Sequence, residues 1–368
     1  MYREHIVGVV IPAYNEEGFV GDVIREMPSF VDRLYVVDDR STDGTWDEIH
    51  AAAKADRERD ERSRSTVPAG GRERTDQTAD RNDRSERSDP DRALTDGGPS
   101  ALPGRATVRD SIGRVVPIRH RENRGAGGAI KTGYLAALEE GVDATVTVDA
   151  DGQMDLDLMP RLLDPIVDGV ADYAKGNRLL SSEYRASMPR FRLVGNAILT
   201  FLTKIASGYW KTMDPQNGYT AISREALEAV DVDELYEYYG YCNDLLVKLN
   251  ASGLAVADVA MPAVYGDEES SITYSQYVPK VSTMLLRNFL WRLRSKYLVR
   301  DFHPLALFYL FGTATIAVAG LRWLSTVVFG SGLSGTASPV LLVAGVALLL
   351  FAMTFDMAEN EHLETQIS

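Results

Sequence analysis

A chain of 368 residues is long enough to bury a sizeable core and to hold two or three domains. Its formal net charge of −14 excludes general affinity for nucleic acid, which needs a basic surface, and its single cysteine, Cys242, excludes an intrachain disulfide. Eight lysines against 31 arginines and 53 acidic residues suit a protein working in concentrated salt, where the repulsion of surface carboxylates is screened.

The amino terminus enters the strand-like run Ile6-Val7-Gly8-Val9-Val10-Ile11 almost at once, so no secretory leader is expected and the bulk of the chain is expected in the cytosol. Strands are predicted at 6–11, 34–38, 114–118 and 144–149, with helices at about 16–27, 44–55 and 125–140. Such alternation predicts a mostly parallel sheet with helices on both faces, in which ligands bind beyond the carboxyl ends of the strands. Three polar loops fall at those ends: Pro12–Glu17, Asp38-Asp39 and Asp149–Gln153. Residues 56–110 hold no aromatic residue and are dominated by Arg, Asp, Glu, Ser, Gly and Pro, a composition that predicts a disordered insertion.

Asp149-Ala150-Asp151-Gly152-Gln153 follows the apolar run Ala144–Val148. Continued strand alternation puts Asp149 and Asp151 on one side, where two carboxylates and the Gln153 amide oxygen converge on one hard cation, Mg²⁺ or Mn²⁺ rather than zinc. In so acidic a chain the Asp-x-Asp spelling also arises at Asp89/Asp91, Asp155/Asp157 and Asp231/Asp233, none of which follows a β-branched strand and runs into Gly-Gln. Position rather than spelling therefore carries the signal.

Two apolar stretches close the chain, at about 305–328 and 339–357, each near the length that crosses a bilayer of ~30 Å as a helix. The polar link Gly330–Ser338 makes them a hairpin; a buried helical hairpin in a protein core is the plainer alternative. Before them, in Tyr277–Arg300, Val281, Leu285, Leu290, Leu293 and Tyr297 alternate with Arg287, Arg292, Arg294 and Lys296. This predicts a helix lying in the headgroup layer, with the basic flank in the cytosol.

The combination IPAYNEE at 11–17, VVDDRSTDGT at 36–45, NRGAGGA at 123–129, DADGQ at 149–153 and DPQNGY at 214–219 resembles family 2 glycosyltransferases, nearest to the polyprenyl-phosphate sugar synthases of the dolichyl-phosphate mannose or glucose type. The resemblance covers about 1–55 and 111–275. It implies a GT-A (Rossmann-like) α/β domain over 1–275, interfacial helices at 276–303, a transmembrane hairpin at 304–358 and an acidic tail at 359–368. It also implies a nucleotide-diphosphate hexose donor carrying UDP or GDP, a polyprenyl or dolichyl phosphate acceptor, and a multi-pass protein of the cell membrane with its catalytic domain in the cytoplasm. By the same resemblance Pro12, Tyr14, Glu16, Val37 and Asp39 bind the nucleotide, and Asp149, Asp151 and Gln153 hold the metal. Arg178 and Arg192 handle phosphate or sugar, Asp214 lies with Asn217 beneath the donor sugar, and Asp244 stands where hydroxyl-using relatives place a catalytic carboxylate. Each residue also has an ordinary reading: Pro12 as a strand stop, Glu16 and Glu17 as first-turn helix carboxylates, Asp43 as an N-cap, Asp244 as an anchor for the acceptor loop. One departure stands out: the loop at 263–271 lacks the arginine and lysine of mannose-type relatives, which leaves Arg178, Arg192, Lys175 or the pre-membrane helix to neutralise an acceptor phosphate. A transferase that extends a lipid-linked saccharide from a hydroxyl, and a non-catalytic membrane scaffold, remain the alternatives.

Overall fold

The structure, a computed structural model, describes residues 1–65, 102, 104–180, 190–262, 274–329 and 337–368. Most of the expected insertion, the 263–271 loop and most of the 330–338 link lie outside these residues. The chain divides into two compact units, Met1–Asp157 and Leu158–Ser368.

In the first unit, strands β1 (Val7–Ala13), β2 (Arg33–Asp38), β3 (Ala106–Val108), β4 (Val115–His120) and β5 (Ala144–Thr147) lie in the order β3-β4-β2-β1-β5. All pairs are parallel except β3 with β4. Continuous β-branched runs fill the interior: Val7, Val9, Val10, Ile11, Val36, Val37, Val115, Ile118 and Val146 are fully buried, each worth about 1.5–3 kcal/mol of transfer free energy. Helices α1 (Val20–Glu26), α2 (Thr45–Ser65) and α3 (Ala126–Glu139) connect the strands. The register aligns Ala13 with Asp38 and Asp38 with Arg119, so the polar loops after β1, β2 and β4 start at one edge.

Two expectations shift here. Helix α2 runs ten residues into the segment 56–110 predicted to be disordered, and β3 lies near that segment's end. The buried Asp56 carboxylate accepts from Arg114 Nε at 2.9 Å and Nη2 at 3.0 Å and pairs with Arg59. Pairs of the i,i+4 kind, Arg57 with Glu61 and Arg62 with Glu58, line the polar continuation. Composition reports missing apolar area and is blind to such ion pairs. Helix α1 starts at Val20 rather than 16 because the preceding turn bonds elsewhere: Glu48 accepts from Gly18 N–H at 2.6 Å and Gly21 N–H at 3.0 Å.

In the second unit, β6 (Tyr173–Asn177), β7 (Thr220–Ser223), β8 (Val256–Ala260) and β9 (Glu364–Ile367) run in the order β7-β6-β8-β9, antiparallel only at β6 with β7. Around them stand α4 (Met159–Val167), α5 (Arg190–Ser207), α6 (Arg224–Ala229), α7 (Tyr241–Ser252) and α8 (Tyr274–Arg294), which continues into a π-helical turn at Ser295–Arg300. Val281, Met284 and Leu285 of α8 pack on Ala206 and Val247, while Leu286, Leu290 and Trp291 are exposed on the opposite side.

Helices α9 (Leu305–Phe329) and α10 (Ala337–Asn360) pack along each other, each about 36 Å long at 1.5 Å per residue. Their outward faces carry Leu310, Leu321, Trp323, Val340 and Val343, all exposed, so they are not the buried core hairpin weighed as an alternative. The pair is close enough that a Cβ on Gly312 would lie 3.1 Å from Gly345 O, and one on Gly345 would lie 3.0 Å from Gly312 O. Small residues at such a crossing are what helix packing in lipid demands.

Two polar details depart from the sequence expectations. Arg292, expected among headgroups, is fully buried, its Nη2 2.7 Å and Nη1 3.0 Å from the Asp356 carboxylate. Sequence alternation could not reveal a partner 64 positions away. The last residues, expected as an acidic tail, include β9, which extends the sheet parallel to β8. Glu359 and Glu361 dominate the local composition, and four strand residues are too few to register as a pattern.

Candidate functional site

In the first unit the loops after β1 and β2 are laced together. Asn15, at φ +57°, accepts from Thr42 N–H at 2.9 Å and donates its own N–H to Ser41 Oγ at 3.0 Å. Glu16 N–H donates to Thr45 Oγ1 at 2.8 Å, and Glu17 accepts from Gly44 N–H at 3.0 Å. Asp43 accepts from Thr45 N–H and Oγ1, as expected of a cap; desolvation pushes its carboxyl up, but these bonds and that from Glu17 N–H together hold it below the usual range. On this platform Pro12 and Glu16 are half-buried and Tyr14 is exposed, while Val37 is inside the sheet, in register with Pro12.

Asp38 and Asp39 at the end of β2 have separate tasks. Asp38 accepts from Ser41 N–H at 2.9 Å and pairs with Arg119. Asp39, 2 % exposed, accepts through Oδ1 from Arg124 N–H at 2.8 Å and through Oδ2 from Gly125 N–H at 2.7 Å, which fixes the entry to α3. Its Oδ1 also lies 2.6 Å from His120 Nδ1, which must carry the proton because a carboxylate only accepts. His120 Nε2 lies 2.7 Å from Thr132 Oγ1 inside α3. The Asp39 carboxylate is therefore oriented by Arg124, Gly125 and His120 together. Sequence reasoning missed His120 and Thr132; the only available signal was a histidine ending a strand beside the glycine-rich turn.

Strand β5 stops at Thr147, so Asp149 and Asp151 are not held by strand alternation. They lie on a turn through Gly152, at φ +71°, in which Gln153 N–H donates to Asp151 Oδ1 at 3.0 Å. Asp149, Asp151 and Gln153 are all half-buried. Among the described residues no three His, Cys, Asp or Glu side chains form a closed metal cage. Two carboxylates and an amide oxygen are a donor set suited to a hard cation that takes its remaining ligands from water and substrate phosphates.

In the second unit Arg178 grips Asp214 bidentately, Nε to Oδ2 at 2.7 Å and Nη2 to Oδ1 at 2.9 Å, and its N–H adds a third bond at 3.2 Å. Asp214 is 3 % exposed and sits at φ +48°. Burial pushes its carboxyl up, but the bonds and charge of Arg178 outweigh that and hold it below the ordinary range. Asn217 N–H donates to Asp214 O at 3.1 Å. Lys175, a candidate for an acceptor phosphate, is instead buried against Asp258, with Nζ 2.8 Å from Oδ1. Asp258 also accepts from Met213 N–H at 2.8 Å and from the Asn177 amide, so it ties β6 to the loop that carries Asp214. Asp244, near the start of α7, accepts from Tyr236 N–H at 3.0 Å and Asn288 Nδ2 at 2.6 Å, the geometry of an anchor between a loop and α8. Arg192 lies in α5, and its side chain is outside the described residues.

The profile of the family described as "Glycosyl transferase family 2" matches residues 8–65 and 96–231. The UDP-N-acetylglucosamine–dolichyl-phosphate N-acetylglucosaminyltransferase of Methanococcus voltae is 34 % identical over 152 residues, 41 % of this chain and 60 % of that protein. The polyprenol monophosphomannose synthase of Mycolicibacterium smegmatis is 29 % identical over 191 residues, 49 % of this chain and 68 % of that protein. The chain thus spans 60 % of the length of the Methanococcus voltae relative. Glucosyl-3-phosphoglycerate synthase of Mycobacterium tuberculosis, solved with Mn²⁺ and UDP, overlays at a TM-score of 0.47 with 18 % identity, covering 78 % of this chain and 80 % of that one. With its profile spanning more than half of the residues, and its motifs at the strand ends just described, the chain belongs to glycosyl transferase family 2.

Proposed function

We propose that the protein transfers a hexose, with inversion, from a nucleoside-diphosphate sugar to a polyprenyl or dolichyl phosphate at the cytoplasmic face of the cell membrane. The observation that carries this reading is the way the apolar hairpin is bracketed. Helix α8 before it and strand β9 after it both pack into the second unit, so both ends of the hairpin return to the side of the transferase. A transferase with a membrane anchor built into its own sheet favours an acceptor whose headgroup lies at the bilayer surface. The names of the relatives above point the same way.

In this reading Pro12, Tyr14 and Glu16 wall the nucleoside, with Val37 beneath and Asp39 holding the glycine-rich turn. Asp149, Asp151 and Gln153 would hold Mg²⁺ or Mn²⁺, which would supply countercharge to a diphosphate leaving group. Arg178 and Arg192 serve the sugar and the acceptor phosphate, and Asp214 fixes the Arg178 guanidinium. A phosphate monoester is anionic near neutral pH and needs orientation more than deprotonation. The engagement of both Asp244 oxygens by Tyr236 and Asn288 fits that economy, since the acceptor then requires no base. The sugar-lipid product is suited to feed protein or surface glycosylation.

The test is incubation of the purified protein, in detergent and high salt, with polyprenyl phosphate, Mn²⁺ and a panel of labelled UDP- and GDP-hexoses. Label from one donor in the lipid extract, abolished by a chelator and by Asp151→Ala, is the expected result. Label transferred only when a sugar-charged lipid is supplied would overturn it in favour of a hydroxyl acceptor.

A further inference from the structure

The loop leading to Asp214 is held by its own backbone donors. Four successive N–H groups point at two buried carboxylates: Trp210 to Glu364 Oε1 at 2.7 Å, Lys211 and Thr212 to Glu364 Oε2 at 2.7 and 2.9 Å, and Met213 to Asp258 Oδ2 at 2.8 Å. The Thr212 hydroxyl adds a bond to Glu364 Oε2 at 3.3 Å. The outward carbonyls are used as well: Lys204 binds Trp210 O, Gln366 binds Lys211 O at 2.9 Å, and Lys175 binds Met213 O. The next residue is Asp214, in the left-handed region where a non-glycine residue is strained unless its surroundings dictate it.

Asp258 belongs to strand β8, inside the sheet, but Glu364 comes from the edge strand β9, beyond the apolar hairpin. A carboxylate is the one side chain whose two oxygens accept all these bonds at once. Glutamine at this position would aim an NH₂ at a backbone N–H and lose at least one of them.

We infer that the strand following the hairpin completes the transferase site, with Glu364 a positioning residue that sets the backbone of 210–213 and so delivers Asp214 to Arg178. This rests on the proposed assignment of the Arg178–Asp214 pair to sugar and acceptor phosphate. Through Glu364 the segment returning from the apolar hairpin then supports the site, and is not a tail.

The experiment is a double-mutant cycle on the full chain in detergent, with turnover referred to the folded fraction measured by its melting curve. Glu364→Gln is expected to lower kcat roughly tenfold, the scale of a misplaced orienting group, with the KM for the nucleotide sugar within about twofold. In an Asp214→Asn background the same change is expected to add less than about twofold, because the group it positions is already lost. Thr365→Val, an isosteric change on the same strand, is expected to keep wild-type turnover. Equal losses from Glu364→Gln in both backgrounds, or an equal loss from Thr365→Val, would show general destabilisation and overturn the inference. Full turnover by Asp214→Asn would overturn the assignment of the pair itself, and the role of the strand with it.

Discussion

Replacing Asp356 by Ala should cost the second unit about 3–5 kcal/mol, the usual penalty for leaving one member of a buried ion pair without its partner. The geometry places this case toward the upper end. Arg292 and Asp356 are both fully buried. The Asp356 carboxylate also accepts from Tyr297 OH at 2.7 Å and Asn360 Nδ2 at 2.9 Å, so its loss removes the counter-ion of Arg292 and the acceptor of the Tyr297 hydroxyl. The remaining acceptors of Arg292, Ala206 O at 2.9 Å, Ile205 O at 3.1 Å, Asn250 Oδ1 at 3.3 Å and Tyr297 OH at 3.5 Å, are uncharged and cannot neutralise a guanidinium. At about 2–4 °C per kcal/mol for a unit of this size, the melting midpoint in detergent should fall by roughly 6–20 °C. Substituting both members with apolar residues, Arg292→Met with Asp356→Leu, should recover most of that loss, since the cost lies in the unpaired charge. An unchanged midpoint for Asp356→Ala, or a double variant no better than the single, would refute the reasoning.

Asp39→Ala should weaken binding of the nucleoside diphosphate alone by about tenfold in calorimetry, because Arg124 and Gly125 N–H lose their shared acceptor and the entry to α3 loosens. A Gly345→Leu side chain has no space beside Gly312 O and Ile316, so the hairpin should part and the protein should aggregate on detergent exchange, as read by size exclusion. Burial, with Arg292 nearby, holds Lys296 down at about 8, so the folded state sheds that proton while the unfolded chain keeps it. Stability on this account rises from about pH 8 toward the ordinary lysine range, and Lys296→Gln should remove that rise from the melting midpoint. Asp214 has the opposite profile: its depressed carboxyl contributes stability above the ordinary carboxylate range that is lost on acidification below it, and Asp214→Asn should flatten this acid limb.

What the sequence revealed, and what it hid, follows from the range of each interaction. The β-branched runs of β1, β2, β4 and β5 are local and continuous, and they lie where periodicity places them. The polar residues at their ends were visible because a strand must stop where its carboxylates begin. The partners of those carboxylates were not visible: Asp39 meets His120 across 81 positions, Lys175 meets Asp258 across 83, and Glu364 meets Trp210 across 154. None of these pairs leaves a spacing in the chain. Composition misled where charge does structural work, in the ion-paired end of α2 and in β9.

The same long-range carboxylates account for how an apolar hairpin is joined to a soluble-type sheet. Helices α9 and α10 have only dispersion and small-residue packing between them, contacts that fix their separation and leave their attachment to the sheet open. Attachment falls to the base of the hairpin, where Leu293 and Tyr297 pack on Leu305, Ala306, Tyr309 and Ala352, and where polar groups shielded by that cluster make strengthened hydrogen bonds. Arg292 with Asp356 fastens α8, which precedes the hairpin, to α10, which leaves it. Lys296 and Asn360 fasten both to Asn250 of α7, through Lys296 Nζ with Asn360 Oδ1 at 2.6 Å and Asn250 Nδ2 with Asn360 Oδ1 at 2.9 Å. Glu364 then fastens the exit to the loop of Asp214. Each fastening fails differently. Loss of the ion pair unfolds the base, whereas loss of Glu364 should leave the base folded and slow the reaction, so stability and turnover separate along one short stretch of chain.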